Sequence, residues 1–283
     1  TNTTVAADLE PAISVDFTSR ISQNIDELRR VLGISELVPM SAGTDIKIYK
    51  ISKKNSPAQV GEGEDINLTE IERKLVRTIT LDLNKYRKNT TAEAIQKVGR
   101  SIAINQTDEK LIAEIQKDIK KAFYTALATG TGTATGTTLQ VTLANLWAKL
   151  QGYYEDMDVT PIFFVNPQDV ADYLGTAQIT MQTAFGFTYI ENFLGLGTVV
   201  VTPQVAAKTV YGTAQENLNG AYAPVSGDVG QTFGLTADAT GLLGMTHQMK
   251  SGNATIDTLV LSNVVFYPEF ADGIFKGTIS GES

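Results

Sequence analysis

From Thr107 to Gly130 the chain carries one unbroken helical signal, and any fold it adopts has to house that rod. Leu111, Ile112, Ile115, Ile119, Ala122, Phe123 and Ala126 fall three or four residues apart, so they line one face of a helix about 30 Å long. Thr107 is expected to cap the start, where Asp108 and Glu109 suit the positive end of the helix dipole. Gly130 is expected to end it, and Thr131 to Thr137, alternating threonine with glycine or alanine, reads as a flexible connector.

The segments before the rod read in order. Residues 1–13 form an irregular polar arm. Phe17, Ile21, Ile25, Leu28 and Leu32 then give an amphipathic helix that Gly33 closes. Asp45 to Ile48 alternates as a strand. Residues 75–84 do the same, with Leu75, Ile79, Leu81 and Leu83 on one face. More than twenty residues rich in charge and turn formers separate these strands, too poor in apolar groups to fold back on a core. That stretch either moves freely or lies on a partner. Thr90-Thr91-Ala92-Glu93 has the form of a capping box, opening a helix with Ala94, Ile95 and Val98 on one side.

After the connector, helices and strands alternate. Thr142 is expected to cap a helix bearing Leu143, Leu146, Trp147 and Leu150. Pro161 to Val165 is a buried strand, and Asn166-Pro167 supplies a cap and an N1 proline for a short helix stopping at Gly175. Thr198 to Val201 is a second buried strand. Loops and short strands are expected over 205–250, and strand alternation returns over 255–278.

Composition narrows the function classes. The 283 residues are 42% hydrophobic and 19% charged, a globular balance. No apolar run is long enough for a membrane span, the first thirty residues lack a secretory apolar core, and there are no cysteines. Residues 1–150 hold 20 Lys/Arg and 18 Asp/Glu, and residues 151–283 hold 3 and 13, so no basic stripe for sequence-specific nucleic-acid reading is present.

Candidate chemistry is thin. His247 is the only histidine, so a triad or a two-histidine metal site would rest on it alone, and it reads as structural. Gly130, Gly132 and Gly136 lack the lysine and preceding strand of a phosphate loop, and Gly195-Leu196-Gly197 precedes a strand where a dinucleotide fingerprint follows one. Glu62, Glu64 and Asp65 lack the ligand alternation of a calcium loop, and read as an acidic tip meeting a neighbour's basic groups. Asp156 and Asp158 read as a solvated loop. Lys47, Lys50, Lys53 and Lys54 read as contacts to acidic neighbours first and to phosphate second. No catalytic residue, cofactor or metal site is expected.

The order of elements resembles the major capsid proteins of tailed bacteriophages with the HK-ninety-seven-like fold. Val60-Gly61-Glu62-Gly63-Glu64 through Leu81 to Lys88 is similar to that family's extended loop returning into its domain. Ala94-Ile95-Gln96-Lys97 with the long stripe resembles its spine helix. Phe163-Phe164-Val165-Asn166-Pro167 resembles its strand-to-helix turn, and Phe266-Tyr267-Pro268-Glu269 with Asp272 to Gly277 its final strand and turn.

The resemblance implies an α+β fold: an N-terminal arm and helix (1–33), an extended β-hairpin loop with flanking strands (34–90), a peripheral domain with the spine helix (91–140), an axial domain (141–254) and C-terminal strands returning to the peripheral domain (255–283). It implies a virion shell of hexamers and pentamers around double-stranded DNA bound without sequence specificity, assembled in the bacterial cytoplasm. Expected partners are other copies, a scaffolding protein, a portal and a decoration protein, with no membrane. Lys53, Lys54, Glu62, Glu64, Asp65, Arg73 and Lys74 are the expected intersubunit contacts. The start at Thr1 is expected to reflect a lost methionine or a proteolytic trim, and no lysine–asparagine pair is marked for crosslinking. An encapsulin-type compartment shell is the second reading, and a carboxylate-based hydrolase the third.

Overall fold

The computed structural model describes residue 29 and residues 37–53, 71–155, 157–174, 181–184, 187–237 and 241–281. The arm and helix expected over 1–33, Arg29 apart, lie outside the described residues, as do residues 54–70, Asp156 and Gly175.

In chain order the described elements are β1 (Leu37–Pro39), β2 (Asp45–Lys53), β3 (Ile71–Thr80), β4 (Asn84–Thr91), α1 (Ala92–Val98), a π-helical segment (Ser101–Gln106), α2 (Thr107–Leu127), β5 (Gly132–Gly136) and α3 (Leu139–Tyr153). There follow β6 (Pro161–Val165), α4 (Pro167–Leu174), β7 (Gln182–Ala184), β8 (Phe187–Ile190), β9 (Thr198–Val201), β10 (Thr209–Ala214), β11 (Leu218–Tyr222) and α5 (Asp228–Phe233). The last are β12 (Thr236–Ala237), β13 (Leu243–Lys250), β14 (Thr255–Ser262), β15 (Val264–Pro268) and β16 (Phe275–Ile279).

Four sheets result. A seven-stranded mixed sheet runs β5-β16-β10-β6-β9-β8-β7, a four-stranded sheet runs β12-β13-β14-β4, a three-stranded sheet runs β1-β11-β15, and among the described residues β2 pairs only with β3. β6 sits at the middle of the largest sheet, antiparallel to β10 and parallel to β9. Its five residues are all buried because successive side chains enter different cores. Ile162 and Phe164 join Val200 and the α2 stripe, with Leu243, Met245, Val260 and Phe266 from the strands beyond. Phe163 and Val165 join Val199, Val201 and the α3 residues Leu143, Leu146 and Leu150.

Within the first core, Phe123 meets the edge of Phe164 at 5.6 Å and Phe266 at 6.5 Å between centroids, orientations that favour aromatic pairs. Ile112, Ile115, Ile119, Phe123 and Ala126 are buried as the spacing predicts. Tyr124 and Leu127 are buried too, which widens the stripe, while Ala122 faces out. Each fully buried Ile, Leu or Phe contributes roughly 1.5–3 kcal/mol.

Several local expectations are corrected. The cap of α1 is Thr91, whose side chain accepts from the Ala94 amide at 3.2 Å, one residue later than the Thr90 box. Thr107 caps nothing: its backbone is helical, and its hydroxyl serves the carbonyls of Ala103 and Ile104, because the helix continues backwards into the π segment. Thr138 caps α3, and Thr142 sits one turn inside, buried and donating to the Thr138 carbonyl at 2.8 Å. The strand expected over 75–84 breaks at Leu81, which is buried and donates its amide to the Thr44 carbonyl, while Leu75 and Leu83 are exposed.

The connector is a strand. β5 pairs in parallel with β16, from Gly132 opposite Phe275 to Gly136 opposite Ile279. Its glycines serve close approach: a Cβ at Gly132 would lie 2.3 Å from the Phe275 ring, and one at Gly136 would lie 2.5 Å from the Thr142 amide. Over 205–250 the strands are longer than expected, β13 alone having eight residues.

Candidate assembly surface

β2 and β3 form an antiparallel ribbon in register from Asp45 opposite Thr80 to Lys53 opposite Ile71, with an irregularity at Ile48/Tyr49. Its root is tied down. Thr80 donates its hydroxyl to Asp45 at 2.7 Å, and Leu81 with Ile46 packs beside Ala221 and Val265. Beyond the root no second layer covers it among the described residues, and Ile71, Leu75 and Val76 are 69%, 46% and 54% exposed. An isolated two-stranded ribbon with bare apolar groups is marginal in water.

Charge compounds this. The two strands carry six cations (Lys47, Lys50, Lys53, Arg73, Lys74, Arg77) and two acids (Asp45, Glu72). The described side chains on β3 add to this, with Arg73 and Lys74 exposed. Arg73 places its guanidinium 3.8 Å over the Tyr49 ring, a cation–π contact that holds one cation in place.

Of the expected contact residues, Arg73 and Lys74 lie exposed on β3, and Lys53 ends β2 opposite Ile71. Lys54, Glu62, Glu64 and Asp65 lie outside the described residues. Sequence reasoning missed the exposure of Ile71, Leu75 and Val76 on β3, since Leu75 alternates in step with Ile79 and Leu81, which are buried.

It also missed a buried charge cluster where the π-helical segment meets α2. Asp108 is fully buried; its Oδ1 accepts from Lys88 Nζ on β4, and its Oδ2 lies 2.9 Å from His247 Nε2 on β13. Lys88 Nζ also donates to Thr107 Oγ1 at 2.5 Å and to the Ile104 carbonyl at 3.1 Å. The wide π turn leaves carbonyls available for such donors. His247 is therefore a satisfied structural histidine.

A second cluster lies across β13, β14 and β4. Asp257 accepts from Lys250 at 2.8 Å, Arg87 at 2.6 Å and Asn89 at 2.5 Å. These donors, Lys250 foremost, hold its carboxyl at about 2, below the ordinary carboxylate range.

Neither cluster has the form of a reaction site. Among the described residues no group of three or more His, Cys, Asp or Glu is placed to hold a metal. Asp158 is exposed, Gly197 leads into β9, and no described helix is long and apolar enough to cross a membrane.

No family model matches the chain, and no curated protein matches it in sequence. Solved structures do match in three dimensions. A cyanophage A-1(L) capsid subunit has a TM-score of 0.60 at 9% identity, over 90% of this chain and 93% of its own. The SrpI encapsulin complex from Synechococcus elongatus gives 0.58 at 10% identity, over 90% of both chains. A Mycobacterium phage Che8 structure gives 0.56 at 11% identity, over 85% of this chain and 86% of its own. Nearly the whole chain is matched each time, so the expectation of an α+β fold with a β-hairpin and a long spine helix is met: the chain has the HK-ninety-seven-like fold.

Proposed function

We propose that this chain is a shell-forming major capsid protein of a tailed bacteriophage, building a closed icosahedral particle around double-stranded DNA and catalysing no reaction. The observation that carries the reading is the β2–β3 ribbon, which leaves Ile71, Leu75 and Val76 bare and carries six cations against two acids, on a fold shared with phage capsid and encapsulin subunits. A neighbouring copy that covers Ile71, Leu75 and Val76 and offers acidic groups would remedy both defects.

In this reading residues 1–33 form arm and helix, 34–90 the extended loop with its strands, 91–140 and 255–283 the peripheral domain, and 141–254 the axial domain. Lys53, Lys54, Glu62, Glu64, Asp65, Arg73 and Lys74 lie at contacts between copies. Each exposed ion pair is worth about 0–1 kcal/mol, and repetition over a closed particle multiplies that small term. Partners are other copies in hexamers and pentamers, a scaffolding protein, a portal and a decoration protein, and the site of action is the virion, assembled in the host cytoplasm.

The likeness to an encapsulin favours a second reading, a compartment shell with protein cargo. Electron microscopy of purified assemblies with analysis of their contents decides. Closed particles with DNA support the capsid; closed particles with protein and no DNA support the compartment. A chain that stays monomeric at high concentration, with scaffolding protein supplied, overturns both. Hydrogen exchange over residues 52–74 should slow on assembly, and equal protection in free and assembled subunits would remove the ribbon from the interface.

A further inference from the structure

One corner of the seven-stranded sheet, where α3 ends, β6 begins and β10 runs on towards β11, gathers carboxylates. Glu155 and Asp158 are exposed after α3, Glu216 on the turn after β10, and Glu269 just past β15. Thr160 donates its amide to both oxygens of Glu216, at 3.0 and 3.1 Å. Glu269 donates its own amide to the Asn217 carbonyl at 2.9 Å, so backbone holds the corner together. Burial raises the Tyr154 hydroxyl above its ordinary pKa, and the charges of Glu216 and Glu269 beside it raise it further. Among the described residues no cation forms an ion pair with Glu155, Asp158, Glu216 or Glu269. Two apolar side chains are open to solvent here, Met157 at 56% and Tyr153 at 42%.

We propose that this corner receives the outer face of β3 from a second copy of the chain. The inference rests on the shell reading and names the surface that covers the ribbon.

Complementary charge and apolarity select that occupant. Ile71, Arg73 and Leu75 alternate along a regular stretch of β3, so they share one face. Tyr49, opposite Leu75, joins them with its ring under the Arg73 guanidinium. From Ile71 to Leu75 the face runs roughly 13 Å, with a cation between two apolar groups. Ile71 and Leu75 thus meet Met157 and Tyr153, while Arg73 and Lys74 meet carboxylates, an apolar centre with a charged rim.

The chain's own ribbon does not fill the corner. It is rooted beside Ala221 and Val265, whereas the corner adjoins the opposite end of the β11–β15 pair, at Leu218 and Pro268. A contact in which one copy gives its ribbon and the next receives it is head-to-tail, and such contacts close into rings when the rotation between copies allows.

The absence of cysteine makes the test direct. Ile71→Cys and Leu75→Cys are each combined with Met157→Cys, and assembled particles are oxidised and run without reductant. A ladder of covalently joined chains is expected for at least one pair, and none for Leu75→Cys with Met249→Cys, whose partner position is 80% exposed on β13. Closed particles that give no ladder overturn the corner and leave the shell reading standing. A parent chain that builds no particles overturns the shell reading and the corner with it. In a second arm Asp158→Lys with Glu269→Lys should raise the concentration needed for assembly about tenfold, because like charges then face each other in every contact. Adding Arg73→Glu and Lys74→Glu should bring it back to within about threefold of the parent chain. A quadruple variant that assembles no better than the double one overturns the proposal equally.

Discussion

His247 Nε2 and Asp108 Oδ2 stand 2.9 Å apart although 139 residues separate them, and with Lys88 on the other carboxylate oxygen they join β13, α2 and β4 at one buried point. Removing the carboxylate strands a shielded ammonium and an imidazole together. Asp108→Ala should therefore cost about 3–5 kcal/mol, the penalty for leaving a buried charge uncompensated. Urea denaturation of the free subunit measures it, and a loss under 1 kcal/mol, within the ordinary worth of a surface ion pair, contradicts the assignment.

Ile115 is fully buried midway along α2, in a core to which strands of three sheets contribute. Ile115→Ala should cost about 2–5 kcal/mol, because the surrounding side chains collapse only partly into the space left. Thermal denaturation showing no shift would remove α2 from the core.

Gly136 lies against the Thr142 backbone amide, which belongs to a helix and cannot swing aside as a side chain can. Gly136→Ala should destabilise by about 1–3 kcal/mol through overpacking. Gly152, with open space around it, is the control and should cost far less when changed to alanine.

The Asp257 carboxyl titrates near 2 in the folded chain, and an unfolded aspartate near 3.9. Stability from this group is thus fully present above about pH 4 and is lost as pH falls through about 2. Asp257→Asn should flatten that part of the acid unfolding profile, measured by circular dichroism. An unchanged profile would place the acid sensitivity elsewhere.

Lys47 and Lys74 are exposed on the ribbon, whose strands carry six cations and two acids. Lys47→Glu with Lys74→Glu lowers that excess of positive charge, so the free subunit should keep its stability within about 0.5 kcal/mol. Assembly should fall, read by sedimentation. Assembly equal to that of the parent chain would show that these cations meet no acidic surface.

Legibility in the sequence followed the strength of local pattern. Pro161 to Val165 was readable because a strand between two cores is apolar throughout. Asn84 to Thr91 is not legible as a full strand, because Tyr86 is its sole apolar residue and its pairing with β14 depends on a segment 164–178 residues away, where Asn89 and Arg87 find their partners. Threonines spaced four apart, Thr138 and Thr142, cannot be told apart as caps until Gly136 is seen against the second. At the candidate surface the cations were visible in the sequence. The exposure of Ile71, Leu75 and Val76 was not, because nothing local says whether an apolar residue meets its own core or another molecule.

β16 lies between β5 and β10, an interior place in the seven-stranded sheet for the last strand of the described chain. During synthesis, β5 and β10 leave the ribosome with open facing edges that only residues 275–279 can close. At elongation rates of about 5–20 residues per second, β5 waits for roughly 7–30 seconds in that condition. A chain truncated before Phe275 never closes the gap and keeps two adhesive edges. Such fragments should precipitate more readily than chains that carry β16, which closes both facing edges in one stroke.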